Sequence, residues 1–463
     1  MPAAAFDAPI SFDDPSTPMG YPPTFFVPRE DPDTFYVPGD TIGPVTGLNP
    51  HVALGYYPED SSLAFWDGAL WDDSTAVWNG VAPLTDVTCD LLSVALTEGR
   101  DTPLERFRPS TLTVTLTDPE GLYSPWRMAP TTAAFGAIRP GIDLVYWVDV
   151  PEAGDTIPRF RGIVTAIEDG FPDQGDQHTV VFHATDYLSV LAAFDGTEIA
   201  PVGAGETAGP RLNRIVQNTG WTGPTAFDVG TVALQATTLA KNALDEAGMV
   251  TDTEAGALWC NRDGVLTFRD KNGLGLDPHY LDVQAVFGDG VGTATTDIDT
   301  ELCYTDLELA SDTDRVRNMV TISNVGGTAV LRSDLTSIAL YQAHTFQRLD
   351  LIHVDPAESV TLANHYLDVY AYASNRVDGL TVDLGALAPA DAATVLDLDT
   401  LHMIEVRRRP EGFQVVANLQ IQGLTENVSA ESWTVKFRTF SAASVFDVAR
   451  WDVDLWDTGL WGY

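Results

Sequence analysis

Eight histidines are the first residues to weigh for chemistry, and their spacing offers little. His344, His353 and His365 lie nine and twelve residues apart, and no His-Glu-x-x-His turn brings two imidazoles and a general base to one metal. Among 66 acidic residues, pairs such as Asp397 with Asp399 or Glu168 with Asp169 arise by chance, so no acid–base couple for glycoside cleavage stands out. No Gly-x-Ser-x-Gly elbow is present, and Gly288-Asp289-Gly290-Val291-Gly292 lacks both the Gly-Lys-Ser/Thr ending and the strand-to-helix setting of a phosphate cradle. Asp263-Gly264 and Asp270-Lys271-Asn272-Gly273 carry calcium-type residues without a twelve-residue loop and closing Glu, and read as turns. Arg407-Arg408-Arg409-Pro410 is the densest basic cluster; it is expected to pair with acidic neighbours at a subunit boundary rather than with DNA. Cys89, Cys260 and Cys303 are odd in number and far apart, which argues against a disulfide framework or cysteine-ligated zinc and for buried small apolar side chains. No catalytic residue, metal or cofactor is expected, and the chain does not read as an enzyme.

The residues with the clearest pattern are aromatic. Trp66, Asp67, Leu70, Trp71 and Asp72 recur as Trp451, Asp452, Leu455, Trp456 and Asp457, and Trp461 continues the five-residue spacing. Five matches neither the strand period of two nor the helical 3.6, so these rings belong in irregular chain, each in a pocket with its indole N–H satisfied. Two readings stay open: the tryptophans cap the chain's own β domains, or they are partner-docking anchors on a neighbouring subunit.

The charge narrows the partners. With 25 basic and 66 acidic side chains in 463 residues, the net charge is −41, and only three of the cations are lysines. Apolar residues at 44% and aromatics at 10% are ordinary globular usage, so the acidity is not that of a disordered tail. Such a surface repels phosphate backbones, which excludes non-specific nucleic-acid binding. Residues 1–7 show neither a basic nor an apolar leader region, and no run of about 18 apolar residues occurs. No membrane partner is expected.

Eleven prolines in the first fifty positions make residues 1–84 an extended arm, or a flexible linker, ending in the first Trp-Asp segment. Period-two patterning then predicts strands at 87–96, 111–117, 142–149, 159–168 and 178–184, which suggest a small antiparallel β-barrel or sandwich as a first β domain over 85–195. Helical spacing places Leu212, Ile215 and Val216 on one face, and Leu239, Ala240, Ala243, Leu244 and Ala247 on another ended by Gly248. With a hairpin turning at Asp263-Gly264, these make an α+β insert over 205–300. Extended segments at 317–322 and 339–346 follow. A helix capped at Asp355-Pro356-Ala357-Glu358 has Val360, Ala363, Leu367 and Tyr370 on its core face. Strands near 380–384, 402–406, 417–422 and 433–437 complete a second barrel-like domain over 305–442, before a Trp-Asp tail at 443–463. The fold class is mainly β with an α+β insert.

Several motifs fall in a fixed order: Val87-Thr88-Cys89-Asp90, Thr97-Glu98-Gly99-Arg100-Asp101, Leu104-Glu105-Arg106-Phe107, and Thr117-Asp118-Pro119-Glu120-Gly121-Leu122-Tyr123. Ile138-Arg139-Pro140-Gly141, Phe160-Arg161-Gly162-Ile163-Val164 and Ala184-Thr185-Asp186-Tyr187-Leu188 follow. Ser374-Asn375-Arg376-Val377 and Gln422-Gly423-Leu424 before Trp433 match more loosely. Over about 85–442 the chain resembles the tail hub family of long-tailed bacteriophages, minor tail proteins similar in fold to the baseplate hub of contractile phages and to the N-terminal hub of tail-associated proteins.

That resemblance implies a homotrimer in which two barrel-like tube domains per chain alternate around an axis, forming a pseudo-sixfold ring that continues the tail tube. The implied partners are other tail proteins: the distal tail ring, the tape measure, and fibres or receptor-binding proteins. It implies a place at the virion tail tip, with assembly in the host cytoplasm. DNA would pass through without specific binding, its exit eased by acidic side chains, unless the charge serves only solubility. Two alternatives remain: the ring protein linking tube to hub, normally hexameric, and a cell-wall hydrolase or carbohydrate-binding module, for which no lytic domain of recognisable length follows residue 442.

Overall fold

The computed structural model describes residues 47–55, 84–119, 121–126, 138–170, 178–195, 203–237, 239, 241–289, 301–409 and 415–441. The chain is mainly β. Its first half supplies β1 (Asn49–Gly55), β2 (Leu84–Asp86), β3 (Leu91–Gly99), β4 (Thr111–Thr117), β5 (Asp143–Val150), β6 (Asp155–Gly170) and β7 (Thr179–Thr185), in the order β3-β4-β7-β6-β5-β1-β2. The alternation that predicts β4 is the alternation that packs it: Leu112, Val114 and Leu116 are fully buried, while Thr113 on the opposite face meets His183 at 3.2 Å. β1 falls where the sequence reads as a proline-rich arm. Its Val52, Ala53 and Leu54 are nevertheless fully buried between β2 and β5, because Pro50 sits at the strand's start and the apolar run after it, to Gly55, holds no proline.

After α1 (Leu188–Ala193), the insert contains α2 (Ala208–Asn218), β8 (Thr225–Phe227), α3 (Ala243–Glu254), β9 (Ala257–Cys260) and β10 (Leu266–Arg269), followed by short helices α4 (Lys271–Leu276) and α5 (Pro278–Leu281). Leu212, Ile215 and Val216 pack into its core, and β9 and β10 pair antiparallel across a turn with Gly264 at φ +81°. α3 begins later than its apolar spacing predicts. Asn242 accepts a hydrogen bond from the Asp245 amide at 2.8 Å, and the helix runs through Gly248 to Ala255, which takes a left-handed φ of 54°.

The second half adds β11 (Val283–Gly288), β12 (Leu302–Cys303), β13 (Asp306–Ala310), β14 (Met319–Asn324), β15 (Val330–Ser333), α6 (Leu335–Tyr341), β16 (Thr345–Leu351), α7 (Ala357–Tyr370), β17 (Arg376–Asp383), α8 (Pro389–Asp397), β18 (Met403–Arg408), β19 (Val415–Ser429) and β20 (Trp433–Ser441). Residues 339–341, expected to be extended, close α6, whose start is fixed by Asp334 accepting from the Thr336 and Ser337 amides. On α7, Ala363 and Tyr370 are buried as expected. Leu362 and Ser359 are buried as well, while Val360 and Leu367 are only half-buried, so the core stripe is rotated towards the β14–β16 sheet.

The order β12-β11-β18-β19 continues directly into β3, and β20, β17 and β13 branch from β19. Among the described residues no pairing closes either half into a barrel: the edge of β3 that would complete the first is taken by β19 instead. One apolar core runs from Leu48 to Phe437 beneath both halves.

Candidate functional site

All the Trp-Asp docking residues, Trp66, Asp67, Leu70, Trp71, Asp72, Trp451, Asp452, Leu455, Trp456, Asp457 and Trp461, lie outside the described residues. What the fold does bring together are the ordered motifs. Gly99 stands opposite Gly423 where β3 meets β19, although 323 residues separate them in sequence. The Arg100 amide donates to the Gln422 carbonyl at 2.8 Å, and its Nε donates to Gln422 Oε1 at 2.9 Å. Both positions require glycine: a Cβ on Gly99, at φ +91°, would fall 2.3 Å from the Gln422 oxygen, and one on Gly423 would fall 2.5 Å from the Glu98 oxygen. Gly162 of β6 meets Thr185 of β7 the same way, its would-be Cβ 2.2 Å from the Thr185 oxygen. Asp186 accepts from the Ser110 amide at 2.7 Å and the Leu188 amide at 2.9 Å, and burial pushes its carboxyl up to about 7.

Two buried arginines tie this joint to the rest of the chain. Arg159 of β6 bonds Glu426 of β19 with Nε at 2.9 Å and Nη2 at 2.6 Å, both side chains fully buried. Glu426 also accepts from Tyr146 at 2.7 Å and from the Trp433 indole at 2.9 Å, and burial drives the Tyr146 hydroxyl well above the usual range. Arg262, in the insert's hairpin turn, bonds Glu98 of β3 at 2.9 Å. Both guanidiniums donate to the Leu396 carbonyl at the C-terminal end of α8, where the helix dipole favours cations. Burial raises the Glu98 carboxyl pKa against the opposing pull of Arg262, whose own pKa is raised by Asp399 and Glu98 despite its burial. Glu98, Asp186 and Glu426 each accept hydrogen bonds from donors of the chain itself. The arrangement fixes the first half, the insert and the second half to one another.

Several of the residues considered for chemistry have partners within the fold. His353 is buried with Nε2 2.8 Å from Ser359 Oγ, its pKa lowered by burial; His344 contacts the Tyr341 carbonyl at 3.0 Å. No group of three metal-ligating side chains occurs among the described residues. Asp169 lies 3.3 Å from His178 and Asp399 lies 3.4 Å from Arg262. Asp270 caps α4 by accepting from the Gly273 amide at 2.7 Å. Arg407 and Arg409 pair with Glu301, and Arg408 with Asp289, so each arginine of the basic cluster has an acidic neighbour within the chain. Only Cys260 is buried. Cys89 and Cys303 are exposed, contrary to expectation, because a turn and a two-residue edge strand hold them at the surface. No described helix is long and apolar enough to cross a membrane.

Comparison with solved structures gives the fold a context. A tail protein from Neisseria meningitidis MC58 superposes with a TM-score of 0.53 at 11% identity, over 84% of this chain and 96% of that one. The 43 kDa tail protein of prophage MuSo2 from Shewanella oneidensis gives 0.52 at 11% identity, over 85% and 99%. This chain has the fold of these tail proteins. No family model matches it, and neither does any curated protein.

Proposed function

We propose that the chain is a structural component of a bacteriophage-type tail, namely the hub at the tail tip. In this reading three copies form a ring in which each chain contributes two barrel-like tube domains, over 85–195 and 305–442, with the insert over 205–300 outside them. The ring closes the tail tube, docks fibres or receptor-binding proteins, and opens for genome delivery. The arm at 1–84 and the tail at 443–463 hold partners through their Trp-Asp segments.

The observation that carries the reading is the direct pairing of β19 with β3 over a shared core, in a fold that matches nearly the whole length of two tail proteins. A chain whose two β halves are locked edge to edge can act as two neighbouring segments of a collar, and a closed collar protects the outer strands β2, β12 and β13. The role read here is a nonenzymatic one. Imaging of tailed particles carrying a gold-labelled version of this chain should place the label at the distal tail end; label along the tube or at the head would contradict the assignment. Incubation of the purified chain with cell wall should release neither sugars nor peptides, and release of either would contradict the nonenzymatic role.

A further inference from the structure

Between the loop after β3, α3 and α7 lies a cleft of about 610 Å³ that differs in charge from the rest of the molecule. Arg100, Arg106, Arg108, Lys241 and Arg348 line it, five of the chain's 25 cations, against only four carboxylates, Glu105, Asp245, Asp252 and Asp350. In a protein where acids outnumber bases 66 to 25, this is a site where negative charge is not repelled. Its walls are also aromatic. Arg100 lies over the Phe107 ring at 4.6 Å, and Tyr366 stands 6.4 Å from Tyr370. Arg348 contacts Asp252 at 3.4 Å and donates to the Leu104 carbonyl at 2.8 Å, while its buried Nε has no acceptor among the described residues. Lys241, half exposed at the rim, has its Nζ 3.6 Å from Asp350.

The last described strand ends beside this cleft. Phe440 of β20 packs 5.8 Å from Tyr370 and pairs in register with Gln420, and both Tyr370 and Gln420 line the cleft. From Ser441 to Trp451 is ten residues, up to about 33–36 Å of extended chain. Segment 447–457 carries Asp447, Asp452, Asp454 and Asp457 with Trp451 and Trp456, against the single cation Arg450. Its chemistry, acids interleaved with large aromatics, complements a cationic cleft with aromatic walls. A tether this short presents it at an effective concentration of millimolar order.

We propose that in the unassembled chain the cleft binds the same chain's Trp-Asp segment 451–457, which thereby stays sequestered until a partner competes for it. This goes beyond the hub assignment and does not depend on ring formation. The chain's three lysines, Lys241, Lys271 and Lys436, make the test direct. Full-length protein, mixed from ¹⁴N and ¹⁵N preparations, is treated with a zero-length carbodiimide and its peptides are mapped. The expected product joins Lys241 to Asp452, Asp454 or Asp457 within a single isotope, alongside a Lys241–Asp350 product that reports the amine's reactivity. In the Trp451→Ala/Trp456→Ala variant the tail product should fall at least about tenfold, as for loss of aromatic anchors. Any map in which Lys241 acquires no tail peptide overturns the proposal. So does a mixed-isotope product, which would place the segment on another copy, or a yield unchanged in the variant.

Discussion

Glu426 shows how much of this molecule rests on single side chains. It neutralises Arg159 and accepts from Tyr146 and Trp433 in a site closed to solvent. Removing one member of a buried pair strands the other's charge, so Glu426→Gln should lower unfolding stability by about 3–5 kcal/mol, read as a fall in the denaturant midpoint. A double variant with Arg159→Met should recover part of that loss, since no isolated charge then remains; a loss as large in the double variant would mean that the Tyr146 and Trp433 donors dominate. His51 of β1 makes a smaller, pH-dependent contribution. Asp86 of β2 foremost, and Asp149 of β5 at 3.1 Å, raise its pKa above the ordinary imidazole value, while burial opposes them and the ring stacks on Trp147. A raised folded-state pKa gives stability that is complete below the unfolded value of about 6.5 and is lost as pH rises through the folded value. His51→Asn should therefore cost up to about 1 kcal/mol at mildly acidic pH and progressively less under alkaline conditions, measured as the difference between unfolding midpoints across pH.

Among the elements, the junction of β3 with β19 has no slack. Gly99→Ala would set a Cβ against the Gln422 carbonyl at a backbone angle that favours glycine, and strain of this kind costs about 1–3 kcal/mol. Amides of both β3 and β19 should then exchange faster together while the β8–β10 sheet keeps its protection; a change confined to residue 99 would show that the halves are not coupled there. Strands such as β4 were legible because one buried face and one exposed face write a period of two into the sequence. β1 was masked by its proline-rich surroundings, and α6 by apolar residues such as Leu335 and Leu340, which stay exposed on the helix and give no amphipathic stripe. α8, with Pro389 at its first turn, carries a start signal but only nine residues of pattern. The joint itself was half legible. Gly99, Gly162 and Gly423 sit in the ordered motifs, but the pairing of Arg159 with Glu426, 267 residues apart, leaves no local trace in sequence.

At the scale of the whole molecule, the two β halves are one body because they share a sheet and a core, and the net charge of −41 surrounds them. In the proposed collar, acids facing the bore would act on DNA only within about 8 Å at physiological salt, enough to prevent adhesion along a narrow channel. The Trp-Asp tail belongs to this scale too. Trp451→Ala with Trp456→Ala should reduce incorporation of the chain into assembled tails while the isolated chain stays folded, losing only the small stabilisation of a docked segment; unfolding of the isolated chain would instead make those rings part of its own core. The central claim, that copies of this chain close a ring of three, is tested most directly by its mass in solution under native conditions. A species of three copies is expected. A stable hexamer would point to the ring that links tube to hub, and a chain that stays single at every concentration would contradict the collar altogether.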